Sequence, residues 1–110
     1  MATFPISVVI IAKNEEDNMD DCLSSAQGWA DEIVVVDDHS TDRTVEITKK
    51  YTQSVYQRKM DNEGIHRNWA AAQAKHEWVL YLDADERVTP ELQREISAVL
   101  PATTHVAFSI

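Results

Sequence analysis

Glycine is nearly missing: there are two in 110 residues. Neither lies directly after the first apolar run, so the chain has no glycine-rich loop to cradle a phosphate with backbone amides. That excludes a dinucleotide-binding turn and a Walker loop. Cysteine is scarcer still. Cys22 stands alone and cannot close an internal disulfide, which fits a reducing compartment. It falls where a helix is expected and reads as a small core hydrophobe rather than a nucleophile. Basic residues are outnumbered, ten Lys and Arg against 19 Asp and Glu, for a formal net charge of -9. This argues against nucleic acid and anionic membrane surfaces, which both need cationic faces. An anionic small ligand remains open if a divalent cation mediates. The apolar run "VVIIA" (8–12) is too short to span a membrane, and no basic segment precedes a cleavage site. Repeats, low-complexity tracts and linkers are absent as well. The expectation is a single domain, 1–110, in the cytoplasm.

What is present is an alternation of short β-branched runs and longer helical patterns. "PISVVIIAK" (5–13) reads as a buried strand. "NEEDNMDDCLSSAQGW" (14–29) reads as a helix, with Asn14 as N-cap, acids in its first turn and Gly28 as its stop. Met19, Cys22, Leu23 and Ala26 recur there at helical spacing. "EIVVVDD" (32–38) predicts a second buried strand. "STDRTVEITKKY" (40–51) predicts a helix opened by Ser40 or Thr41, and "QSVYQ" (53–57) a short third strand. An Ala-rich helix is expected over 64–75 and a fourth strand over 77–83. A helix over 89–100 has Thr89 as N-cap and Pro90 at its first position, and a fifth strand starts at 105. Near-continuous apolar strands alternating with helices predict an α/β fold, a Rossmann-like parallel sheet with helices on both faces.

The polar residues fall at particular places. Asn14 and Glu15 follow the first strand, Asp37 and Asp38 the second, and Asp83 and Asp85 the fourth. Open α/β sheets bind ligands outside the carboxyl ends of their strands, where strand order reverses. An order of 3-2-1-4 would bring the three groups into one crevice. Each stretch alone also reads as turn chemistry, "DDHSTD" starting a helix and "DADE" forming a solvated corner. Asp-x-Asp offers oxygen ligands to Mg²⁺ or Mn²⁺, whose open positions take phosphate oxygens.

In combination, "PISVVIIAKNEEDNMDDCLSSAQGWADEIVVVDDHSTDRTVEI" (5–47) and "RNWAAAQAKHEWVLYLDADERVTPEL" (67–92) resemble the nucleotide-binding half of inverting family 2 glycosyltransferases of GT-A fold. "DEIVVVD…STDRT" together with "LDADERVTPEL" is most similar to the branch that includes lipopolysaccharide core glycosyltransferases. The resemblance implies a nucleotide-sugar donor, a UDP-sugar, and a glycan or glycolipid acceptor of lipopolysaccharide type. It implies a cytoplasmic enzyme that could lie peripheral to the inner membrane. Lys13, Asn14 and Glu15 would line the nucleotide, and Asp37 or Asp38 would accept a hydrogen bond from a uracil-type base. Arg67 and Asn68 would lie near the nucleotide. Asp85 would be the direct metal ligand, with Asp83 as its partner nearer the ribose.

In that family a metal neutralises charge growing on the departing nucleoside diphosphate while an acceptor hydroxyl attacks from the opposite face. The attack needs a general base. The family's base is a carboxylate beyond the fifth strand, past Ile110, so no catalytic residue is expected within these residues and the chain alone should be inactive. His39 stands where the family usually has glycine. The position implies positive φ, and His39 reads as a turn residue rather than a catalytic one.

Trp69 and Trp78 read as packing residues rather than stacking platforms. His66 and His76 read as surface residues, and Lys49, Lys50, Arg58 and Lys59 as solvated charge. Arg43 could reach a phosphate or serve a solvated face. Two other classes compete: a phosphoacceptor receiver domain, and a non-catalytic nucleotide-binding or interaction module. An unpaired sheet edge would also make a homo-oligomer possible.

Overall fold

The computed structural model describes residues 3–99 and the backbone of residues 107–109. Nine elements follow in order: β1 (Phe4–Ala12), α1 (Glu16–Ala26), β2 (Ala30–Asp37), α2 (Thr44–Thr48), β3 (Val55–Gln57), α3 (Glu63–Ala72), β4 (Val79–Asp83), α4 (Pro90–Val99) and β5 (Ala107–Ser109). Leu100 of the expected fourth helix, and His105, Val106 and Ile110 of the expected fifth strand, lie outside the described residues. The strands pair in parallel in the order β3-β2-β1-β4-β5. This is the order that brings the three polar groups together. It differs from the 2-1-3-4-5 order of receiver-type folds, which removes that alternative.

The strands are apolar on both faces because both are covered. Ile6, Val8, Ile10, Leu80 and Leu82 pack with Met19, Cys22 and Leu23 of α1 and Ile96 of α4. Val9, Val34, Val36 and Val79 face the other way and pack with Ala70 of α3. Full burial of an aliphatic side chain contributes roughly 1.5–3 kcal/mol, so β1 and β2 anchor the domain. Trp78 packs against the first cluster and Trp69 against the second, as expected of packing residues.

Three helix starts differ from expectation. α1 begins at Glu16, and Asn14 adopts a left-handed backbone with φ 52°. α2 holds only five residues, because the Ser40 and Asp42 side chains before it bond to backbone amides instead of joining a helix. α3 starts one residue early at Glu63, since the Asn62 side chain accepts from Ile65 N–H and caps it. The expected cap of α4 is present: Leu92 N–H donates to Thr89 Oγ1 at 3.1 Å.

Candidate functional site

The parallel register lines up the strand ends. Ala12 pairs with Asp37 and Ile11 with Asp83, so β1, β2 and β4 finish side by side. The loops leaving β1 and β2 are stitched together. Asn14 N–H donates to Ser40 Oγ at 2.8 Å, and Thr41 N–H donates to Asn14 Oδ1 at 2.8 Å. Glu15 N–H donates to Thr44 Oγ1, and Glu16 N–H to Asp42 Oδ2. The amides of Glu15 and Glu16 at the start of α1, which its own helix cannot satisfy, are therefore met by the neighbouring loop. Burial works to raise the Asp42 carboxyl, but hydrogen bonds from the Thr44 side chain and backbone and from Glu16 outweigh it and hold the group below its ordinary value.

Adjacent aspartates take different parts here. Asp37 is fully buried, and its oxygens accept from Ser40 N–H (2.8 Å), Ser40 Oγ–H (2.6 Å) and Gln57 Nε2 (2.9 Å). Gln57 in turn accepts from His39 N–H through Oε1 at 3.1 Å, fixing the turn in which His39 has φ 51°. The positive φ expected of His39 is thus present. Asp37 organises the loop, whereas the Asp38 carboxylate has one ionic neighbour among the described residues, Lys13 Nζ at 3.9 Å. Glu15 turns along α1, where its carboxylate accepts from Asn18 Nδ2 at 3.0 Å.

At the carboxyl end of β4 lies Asp83. Its side chain is 63% exposed and lies 4.0 Å from the Arg67 guanidinium, which sits over the Tyr81 ring at 5.5 Å. Arg67 also stands 4.0 Å from Glu63. Asn68, about 100° further round α3, is exposed, and its side chain makes no hydrogen bond or ion pair among the described residues. Asp85 is exposed, and its carboxylate likewise has no hydrogen-bond or ion-pair partner among the described residues.

The set suits a hard cation only in part. Among the described residues no three His, Cys, Asp or Glu side chains gather to hold a metal by themselves. Two exposed carboxylates on one turn are what Mg²⁺ or Mn²⁺ takes when a diphosphate supplies further oxygens. Asp83 and Asp85 fit that donor set.

Two shallow clefts of about 480 and 270 Å³ lie elsewhere, near the amino ends of β1 and β2, bordered by Trp29 and Arg94 and by Asp31 and Lys75 respectively. Neither borders the strand-end group.

Two expectations need correction. His66 is fully buried, not on the surface, and Arg58 is not solvated charge. Arg58 lies over the Trp69 ring at 5.6 Å, pairs with Asp61 at 3.1 Å, and reaches His66 Nδ1 at 2.8 Å. Arginine only donates, so Nδ1 accepts and the ring proton sits on Nε2, which has no partner among the described residues. His76 is half-buried and bound to Asp31 at 2.6 Å. Arg43 pairs with Glu46 on an exposed face.

The model of the family described as glycosyl transferase family 2 matches residues 7–108. The chain belongs to glycosyl transferase family 2. It is 35% identical over 99 residues to an uncharacterized glycosyltransferase of Rickettsia bellii, covering 90% of this chain and 34% of that protein. The crystal structure of S. aureus TarS residues 1–349 superposes with a TM-score of 0.74 at 32% identity, covering 90% of this chain and 33% of that one. Glucosyl-3-phosphoglycerate synthase of Mycobacterium tuberculosis, in complex with Mn²⁺, UDP and glucosyl-3-phosphoglycerate, superposes at 0.57 with 28% identity, covering 72% and 33%. The chain spans about a third of the length of these relatives. In the family 2 chain described here, no helix among the described residues is long and apolar enough to cross a membrane.

Proposed function

We propose that this chain is the sugar-nucleotide-binding portion of an inverting, metal-assisted glycosyltransferase that uses a UDP-sugar. The observation that supports the reading is that β1, β2 and β4 end side by side, with Lys13 beside Asp38 and Arg67 beside Asp83, residues that would share one site with Asp85. S. aureus TarS has been crystallised with UDP, and the mycobacterial synthase with UDP and either Mn²⁺ or Mg²⁺, which supports the same ligands here. Of the two candidate base-binding carboxylates, Asp38 is favoured, because the Asp37 oxygens are already occupied. Asp38 accepts a hydrogen bond from the uracil, Asn14 and its loop border the ribose side, and Arg67 turns from Asp83 toward the diphosphate. A bound divalent cation, held by Asp85 and Asp83, would neutralise charge on the leaving diphosphate. The general base and the acceptor site fall outside these residues. The acceptor is a glycan or glycolipid of lipopolysaccharide type, a reading resting on the "DEIVVVD…STDRT" and "LDADERVTPEL" stretches. Reaction takes place on the cytoplasmic side.

Calorimetry with UDP, with and without Mn²⁺, tests the site. Mn²⁺ should strengthen UDP binding, and Asp85→Ala should remove that gain. No binding at millimolar UDP would sink the reading. Sugar transfer is expected to be absent from the 110 residues alone, and detecting it would place the base within them.

A further inference from the structure

The turn that follows β4 holds three carboxylates, and the structure separates their parts. Asp83 N–H donates to Glu86 Oε1 at 2.8 Å, and Glu86 N–H donates back to Asp83 O at 2.8 Å. The turn is thus closed by a reciprocal pair in which Glu86 takes the place of a backbone acceptor. Its flanks are anchored in the core: Ala84 and Val88 are 2% and 5% exposed. Val88 N–H donates to Ser25 Oγ at 2.9 Å, Cys22 Sγ–H points to Asp83 O, and Arg87 bridges Glu86 O to Asp21 of α1. Asp83 and Asp85 alone are left exposed on this frame.

We infer that Glu86 is a positioning residue: its carboxylate is not offered to a cation but holds the turn so that Asp83 and Asp85 are. The inference rests on the reading of the strand-end crevice as a cation and diphosphate site. It also makes a claim about the turn itself, independent of any ligand. Partners that orient metal ligands typically affect metal affinity about 10–100-fold when removed.

The test compares Glu86→Ala with Glu86→Gln, whose amide oxygen still accepts from Asp83 N–H. In the ligand-free protein, Asp83 amide hydrogen exchange should quicken in the Ala variant and stay near wild type in the Gln variant. Mn²⁺ affinity in the presence of UDP, followed by the Mn²⁺ electron paramagnetic resonance signal, should fall about tenfold or more in the Ala variant and within about twofold in the Gln variant. Equal losses in both variants would make Glu86 a ligand and overturn the assignment. Unchanged affinity in the Ala variant, where wild type binds, would overturn it too. Absence of Mn²⁺ binding by wild type would instead defeat the crevice reading and the metal-positioning role with it, with the exchange result still reporting on the turn.

Discussion

Single residues in this domain gain their parts from one or two close neighbours. The Arg58 hydrogen bond, helped by the Asn62 amide, holds the Asp61 carboxyl down to about 2 from an ordinary 3.8. A carboxyl whose folded value lies below its unfolded one stabilises the fold above the unfolded value, and loses that contribution as pH falls through the folded one. The melting temperatures of wild type and Asp61→Asn should therefore differ above about pH 4 and converge toward about pH 2. Parallel curves across that window would show that the pair contributes nothing. The same scale explains the different fates of Asp37 and Asp38. The two are adjacent and chemically identical, so sequence left them as equal candidates for the base. The decision lies with Gln57, twenty residues on, which reaches Asp37 and not its neighbour. His66 was equally illegible, since its partner Arg58 comes from a loop eight residues earlier and no spacing announces the contact. Cys22 was legible: burial pushes its thiol up to about 12 against the opposing pull of Arg87, as suits an inert core residue.

At the scale of elements, the strands could be read because burial on two faces writes itself as an unbroken apolar run. β1, β2 and β4 all carry that mark. Helix starts were harder, because Ser, Thr and Asp signal a helix cap and a loop tie in the same letters. Ser40 looked like a cap for α2. It is instead a bridge, with Oγ accepting from Asn14 N–H and donating to the buried Asp37. Ser40→Ala removes both bonds and leaves Asp37 short of an acceptor's partner, which should cost about 1–3 kcal/mol in chemical denaturation. The same variant should weaken UDP binding, because Asn14 loses one of its two ties to the β2 loop. A loss of stability with UDP affinity unchanged would mean that the β1–α1 loop does not border the nucleotide.

For the whole molecule, the acidic balance and the topology act together. A net charge of -9 cannot attract a diphosphate unaided, and the strand order gathers part of that charge at one end of the sheet. Mn²⁺ and UDP should therefore bind with positive coupling. Each alone should raise the melting temperature slightly, and both together by more than the sum; a ligand at a hundredfold excess over its Kd contributes about 2.7 kcal/mol of stability. Simple additivity would mean that the two occupy separate places. The stitching of the β1 and β2 loops has a further consequence for anyone who would exchange this region with that of a relative. Asn14, Glu15 and Glu16 find their hydrogen-bond partners in Ser40, Thr41, Asp42 and Thr44, so the two loops form a single heritable unit. A chimera that transplants one loop without the other brings in a half-laced seam, whereas segments 13–16 and 38–44 moved together carry their own fastening.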